Sequence, residues 1–343
     1  MQTGRRLASL LLLVLGAGCT CGDQAPEGTT FVERENPDRF PACATPGTCA
    51  QAYGAFIDKA ASHARPLAED DLWSAMWPIV REEVQPQKAV PEGSSLAAEV
   101  RDAARVGWLL DSLAEQTVQV TRGYSGSYGS GVQTELQFDD PWVGRFDALL
   151  IHSAGPGRHP AVVAQPGHSE NAVYHRDHRL VQPLVEAGYA VLILEARVNE
   201  GDEKEHELAL RLLLQGHTLI GLRAYEVALA RRYMQQRRDV DPARVALMGH
   251  SGGSSTINLL ALIDPCFAAL VSDHTTWYMA HFEQDGQLSD EASPDLWQWN
   301  ELISSTPPPM PVLRQAYGYP DGPEPVLGFL ENTFAIDRPI CPG

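Results

Sequence analysis

The sequence predicts an α/β protein, a mostly parallel sheet flanked by helices and preceded by a helical extension. Three observations carry that prediction. Beyond Thr117, short apolar runs such as PAVVAQ, YAVLILEA and RVALMG alternate with stretches of helical period. The last of these runs leads into Gly249-His250-Ser251-Gly252-Gly253 and then into INLLALI, which reads as strand, tight turn and helix in close order. A chain of 343 residues, 44% hydrophobic and 20% charged, can also bury a sizeable core.

Four segments follow from composition. Residues 1–18 read as a signal: Arg5 and Arg6 precede an apolar run, Leu7 to Leu15, too short to span a bilayer as a mature helix. Gly16-Ala17-Gly18-Cys19 resembles the lipobox of bacterial lipoproteins, with Gly16 where leucine is usual. That resemblance implies that Cys19 is lipidated, opens the mature chain and anchors it in a bacterial cell envelope, at the outer membrane or cell surface. Residues 19–41 are polar and Pro/Gly-containing, a flexible tether. Residues 42–116 carry helical patterning broken at Pro66 and Pro86 to Pro91, with Val100, Ala104 and Trp108 on one face. Residues 117–343 form the α/β domain.

Export implies an oxidising compartment, so the cysteines invite pairing. Cys43 and Cys49 bracket a turn, Cys266 with Cys341 would tie the carboxyl end to the core, and Cys21 is left over. The net charge of −18 excludes a nucleic-acid partner, because phosphate binding needs a basic face.

Along the domain, TVQVTRGY and VGRFDALLIHS read as early strands with SGSYGSG as a turn or bulge. PAVVAQPGH is a buried strand ending in a turn. VYHRDHRLVQPLVEAG is a crossover helix into YAVLILEAR. Leu222, Tyr225, Leu229 and Tyr233 mark a long amphipathic helix that stops before Pro242. After RVALMG come the helix opening at Ser254, the strand CFAALVSD, the strand MPVLRQAYGYPDG and the helix EPVLGFLENTF.

Gly249-His250-Ser251-Gly252-Gly253 fits the G-x-S-x-G nucleophile elbow, whose outer glycines are needed because side chains there would clash. With PGHSENAVYHR, EAGYAVLILEAR and VDPARVALMGHSGGSS, the chain resembles the α/β-hydrolase superfamily. The likeness is greatest to its dienelactone hydrolase, acetyl xylan esterase and prolyl-oligopeptidase-like branches. The resemblance implies a serine hydrolase of esters, or less often of peptides, with Ser251 as nucleophile. It also implies an oxyanion hole built from the Gly252 N–H and from Gly167 or His168. The family delivers its acid after the seventh strand, here Asp321, and its histidine after the eighth. No histidine follows His281, so the last strand and its loop are missing from the pattern. His274, at the end of the sixth strand, is the candidate base, with His168 and His281 as competitors. Asp273 is an alternative acid, and His250 is expected to pack at the elbow.

Trp277, Tyr278, Phe282, Trp297 and Trp299 lie in a long connection that either forms a lid or packs on the sheet edge. The acidic run Asn199 to Glu207 reads as a solvated loop. No metal motif or dinucleotide fingerprint appears, so no cofactor is expected. The sequence thus points to an exported serine hydrolase of a small-molecule carboxyl ester. A peptidase and a hydrolase-fold binding module that has lost its chemistry are the alternatives.

Overall fold

The computed structural model describes residues 30–35, 87–153, 155, 157–168, 170–195, 208–209, 212, 216–273, 296 and 298–336. Among the described residues nine strands form one sheet: β1 (Thr30–Glu35), β2 (Thr117–Tyr128), β3 (Gly131–Asp140), β4 (Gly144–Ser153), β5 (His159–Gln165), β6 (Ala190–Leu194), β7 (Val240–Gly249), β8 (Ala269–Ser272) and β9 (Val312–Arg314). Their spatial order is β1-β2-β3-β4-β6-β5-β7-β8-β9. The β2–β3–β4 meander is antiparallel and joins β6 in antiparallel fashion. From β6 to β9 every pairing is parallel. Parallel strands need crossovers that cover both faces, which is why β5 to β8 read as continuous apolar runs.

Helices wholly among the described residues include α1 (Leu96–Ala103), α2 (Gly107–Ser112), α3 (Ala172–His178), α4 (Val181–Glu186), α5 (Leu219–Gln236), α6 (Gly252–Ile263), α7 (Asn300–Ser305) and α8 (Glu324–Phe334). Alternate side chains of each central strand enter different cores. Val163, Leu192, Val245 and Leu247 pack with α1, α2, α5 and α6. Val162, Val191, Ala246 and Met248 pack with α3, α4 and α8 on the other face. The extension is fastened to the domain where Thr218, the N-cap of α5, accepts from Gly221 N and donates to Ala104 O at 2.6 Å. A side chain on Gly221 would lie 2.2 Å from that same carbonyl, so only glycine allows this approach.

Several elements differ from the sequence reading. Thr30–Glu35 falls within the expected tether, yet it is an edge strand paired in parallel with β2. β2 continues through SGSY, with its irregularity between Arg122 and Ser125, and turns at Gly129, whose φ of +53° suits glycine. β3 was not anticipated, because its one-in-two pattern is polar on one face. The single crossover helix is two helices, since Pro183 lacks an N–H and is tolerated only in a first turn, which restarts the helix at Val181. The helix after the elbow opens at Gly252 rather than Ser254.

Cys266, the described half of the expected bridge, is half-buried. Its intended partner Cys341 lies outside the described residues, as do Cys19, Cys21, Cys43, Cys49 and the segment 42–86. Trp299 is buried in the core, and the other four aromatics of that connection lie outside the described residues. Among the described residues no strand follows β9, and no helix is long and apolar enough to cross a membrane.

Candidate functional site

The site lies at the carboxyl ends of the central strands and is assembled by their register. Gln165 and Ser272 both stand opposite Gly249, so the residues following β5, β7 and β8 meet at one edge. Ser251 occupies the turn between β7 and α6 at φ +50° and ψ −123°, a conformation L-residues avoid. Such backbone costs about 1–3 kcal/mol and persists only when its surroundings hold it there. The surroundings are close: a Cβ on Gly249 would lie 2.6 Å from Gly253 O, and one on Gly253 would lie 2.1 Å from Gln165 O. Both glycines of the motif are therefore required by sterics.

The geometry leaves two groups of the elbow ready for chemistry. Among the described residues, Ser251 Oγ has no hydrogen-bond partner and the Gly252 N–H has no acceptor. That N–H opens the 12-residue helix α6, where unpaired donors and the helix dipole favour negative charge. The turn after β5 closes on the same point, because a Cβ on Gly167 would lie 2.8 Å from Ser251 Cβ.

Asp273 clamps the elbow from β8. Its Oδ1 accepts from Ser251 N at 2.9 Å and Ser254 Oγ at 3.0 Å. Its Oδ2 accepts from Gly318 N at 2.9 Å and pairs with His250 Nδ1. A carboxylate has about four lone-pair positions, so these four donors fill it. Burial pushes the Asp273 carboxyl up, but the bonds from His250, Gly318 and Ser251 together hold it below the usual range. Tyr319, itself at φ +58°, donates to Gly249 O and pins the loop after β9 against the elbow. Burial, reinforced by the Asp273 charge, raises its phenol well above the ordinary value.

A second carboxylate, Glu170, braces the turn after β5. Its Oε2 accepts from Gly167 N at 3.3 Å and lies 3.2 Å from His175 Nδ1. Its Oε1 accepts from Arg179 Nε at 3.0 Å and also from the Arg179 terminal nitrogen that meets His250 Nε2. Burial opposes ionisation of Glu170, yet the bonds from His175 and Arg179 bring its carboxyl down to about 2. His175 is fully buried and its imidazole is lowered, by burial first, with Glu170 opposing.

No family model and no curated protein sequence matches this chain. Among solved structures it is similar to a Bacteroides fragilis protein named for acetyl xylan esterase activity, 14% identical over 76% of this chain and 77% of that one, with a TM-score of 0.52. The chain has the α/β-hydrolase fold. Similarity also extends to acetyl xylan esterase 1 from Thermoanaerobacterium (14% identity, 75% and 98% of the two chains, TM-score 0.45). An acetyl xylan esterase from Paenibacillus sp. R4 is comparable (14%, 74% and 98%, TM-score 0.48). The fold comparison rests on the first.

In this α/β-hydrolase fold the residues singled out from the sequence fare differently. Ser251, Gly252 and Gly167 come together at the elbow, and His168 follows in the same turn. The Gly167 N–H, one of two donors considered for the oxyanion, is engaged by Glu170 instead. Asp321 is exposed and forms no hydrogen bond or ion pair among the described residues, and the carboxylate that reaches the elbow is Asp273. His250 packs at the elbow, as anticipated. His274 and His281 lie outside the described residues. Sequence reasoning missed Glu170, Arg179, His175, Tyr317 and Tyr319. Only Glu170 carried a signal, as an acidic residue inside the turn that the motif order marks.

Proposed function

We propose that the protein is a serine hydrolase of carboxyl esters. One observation carries this reading: a serine held at φ +50° between a central strand and a helix, with its hydroxyl unbonded beside an unpaired helix-terminal N–H. Strain is kept at that position by the two glycine contacts and the Asp273 clamp, which a mere turn would not require. In the proposed reaction Ser251 Oγ bonds to the ester carbonyl carbon while its proton passes to a base. Gly252 N–H, with a second donor assigned to His168 in the β5–α3 turn, stabilises the oxyanion. Collapse breaks the bond to the alcohol oxygen, which departs with the proton, and water then releases the acid from the acyl-enzyme by the same sequence.

His274 is proposed as the base. It follows Asp273 in the chain, and consecutive Cα atoms are about 3.8 Å apart, so it begins beside a residue that touches the Ser251 backbone. The name of the Bacteroides fragilis relative puts acyl groups on carbohydrate among the esters to try first. Labelling by a fluorophosphonate, together with hydrolysis of p-nitrophenyl acetate, tests the proposal. Wild type should react and Ser251→Ala should not, and His274→Ala should lose hydrolysis while His168→Ala retains it. A second reading, a binding module on a hydrolase frame, is favoured by one fact: no histidine among the described residues bonds Ser251 Oγ. Wild type inert to both reagents would establish it.

Export and anchoring through Cys19 are part of the proposal, supported by the basic start, apolar run and GAGC sequence. Cys19→Ser should move the protein from the membrane to the soluble fraction; unchanged membrane retention would count against the anchor.

A further inference from the structure

A continuous chain of polar contacts crosses the floor of the site: Ser251 N to Asp273, Asp273 to His250, His250 to Arg179, Arg179 to Glu170, and Glu170 to Gly167 N. It starts at the nucleophile's own backbone and ends at the turn that faces the nucleophile's Cβ. Its centre is the buried imidazole of His250, which is faced by Asp273 from β8, by Glu170 from the turn after β5, by Arg179 from the junction of α3 and α4, and by the Tyr317 ring from the loop after β9.

The contact between His250 Nε2 and the Arg179 terminal nitrogen, 2.7 Å, settles how the imidazole is protonated. Two nitrogens at that separation need one lone pair between them, and a guanidinium has none to offer. Nε2 is therefore the acceptor, and the proton sits on Nδ1, where Asp273 receives it. Glu170 Oε1 also lies 3.4 Å from Nε2, but that contact is longer and its geometry is secondary to the guanidinium. The imidazole that precedes Ser251 in sequence is thus occupied on both nitrogens.

We propose that Arg179 and Glu170 are positioning residues for the Ser251 reaction: together they fix His250 as its Nδ1–H tautomer, withhold it from the serine proton, and brace the β5–α3 turn against the elbow. This rests on the reading of Ser251 as nucleophile. Arg179 carries the first task, since it alone donates to Nε2. Glu170 carries the second, because it aims the guanidinium with one oxygen and holds Gly167 N–H with the other.

The test is nuclear magnetic resonance of histidine-¹⁵N-labelled full chain, with the His250 signals assigned by His250→Gln. Wild type should show Nδ1 protonated and Nε2 bare. Arg179→Met should put a proton on Nε2 or mix the tautomers, and should lower kcat about 100-fold with KM changed less than threefold, the scale expected when reacting groups are displaced by about 1 Å. Arg179→Lys, which keeps a charged donor and guards against a misfolded Met variant, should retain the wild-type tautomer and recover part of kcat. Glu170→Gln should lower kcat about 10-fold. A wild-type spectrum with Nε2 protonated, or an Arg179→Met spectrum identical to wild type, would overturn the proposal. So would full kcat in both Arg179→Met and Glu170→Gln. The spectra do not depend on turnover, so a wild type inert to esters and fluorophosphonate would instead overturn the nucleophile reading and the catalytic half built on it.

Discussion

Asp140 and Asp273 are both buried carboxylates, and they do different things. Asp140, at the end of β3, accepts from Trp142 N and Val143 N at 2.8 Å each with Oδ1, and from Tyr225 OH at 2.9 Å with Oδ2. Gln116 completes that cluster. Tyr225 has one proton to give, so the Gln116 amide nitrogen is the group that faces Tyr225 and Asp140 Oδ2. Burial and then the Asp140 charge raise the Tyr225 phenol far above its ordinary value. Asp273 is as buried and as fully bonded, yet its donors include the backbone of a residue at φ +50° whose hydroxyl is unbonded. The Asp140 cluster ties a hairpin turn to α5 and leaves nothing strained or open. The Asp273 cluster holds strain next to an opening. Saturated polar networks are thus part of how the fold is specified, and chemistry is indicated only where one of them supports a conformation that folding alone would not choose.

The sharpest way to break the comparison is at the serine. Ser251→Ala should lower hydrolysis by about 10⁴-fold or more, because without the nucleophile only binding and oxyanion stabilisation remain. Thermal unfolding should be nearly unchanged, and initial rates beside a melting curve check both. The carboxylates come next. Asp273→Asn and Asp140→Asn should each cost about 2–4 kcal/mol in denaturant unfolding, since each leaves buried donors facing an amide N–H₂. Only Asp273→Asn should also lose activity per folded molecule; equal loss in both would erase the distinction. Asp321→Asn, at an exposed position, should stay within twofold of wild type in rate and within about 0.5 kcal/mol in stability.

Acid should act on the elbow side. The Glu170 carboxyl falls from 4.5 to about 2 on folding, and that of Asp273 falls too. A group lowered by folding stabilises the protein fully above its unfolded value and loses that contribution as pH falls through its folded one. The melting temperature should therefore drop between about pH 4.5 and pH 2, and Glu170→Gln should flatten that drop. A Glu170→Gln curve parallel to wild type would remove Glu170 from the account. On the other carboxylate, Tyr225→Phe should cost about 1 kcal/mol in denaturant unfolding with activity intact.

What could be read from the chain alone was what short stretches decide locally. The strand, Gly249-His250-Ser251-Gly252-Gly253 and α6 are contiguous, so their steric demands are written in adjacent residues. The same holds for the central strands, whose apolar runs announce burial on both faces. β1 escaped because Thr30–Glu35 becomes a strand only by pairing with β2, some ninety residues away. That Asp273 reaches the elbow likewise depends on the register that sets Ser272 beside Gly249, a relation with no local signature. Arg179 reaches His250 across 71 residues because α3 ends where it does over the sheet. The turn at Ser251 is announced by its nearest neighbours in sequence, whereas the partners that hold it and the His250 imidazole beside it are groups that only the packed sheet brings together.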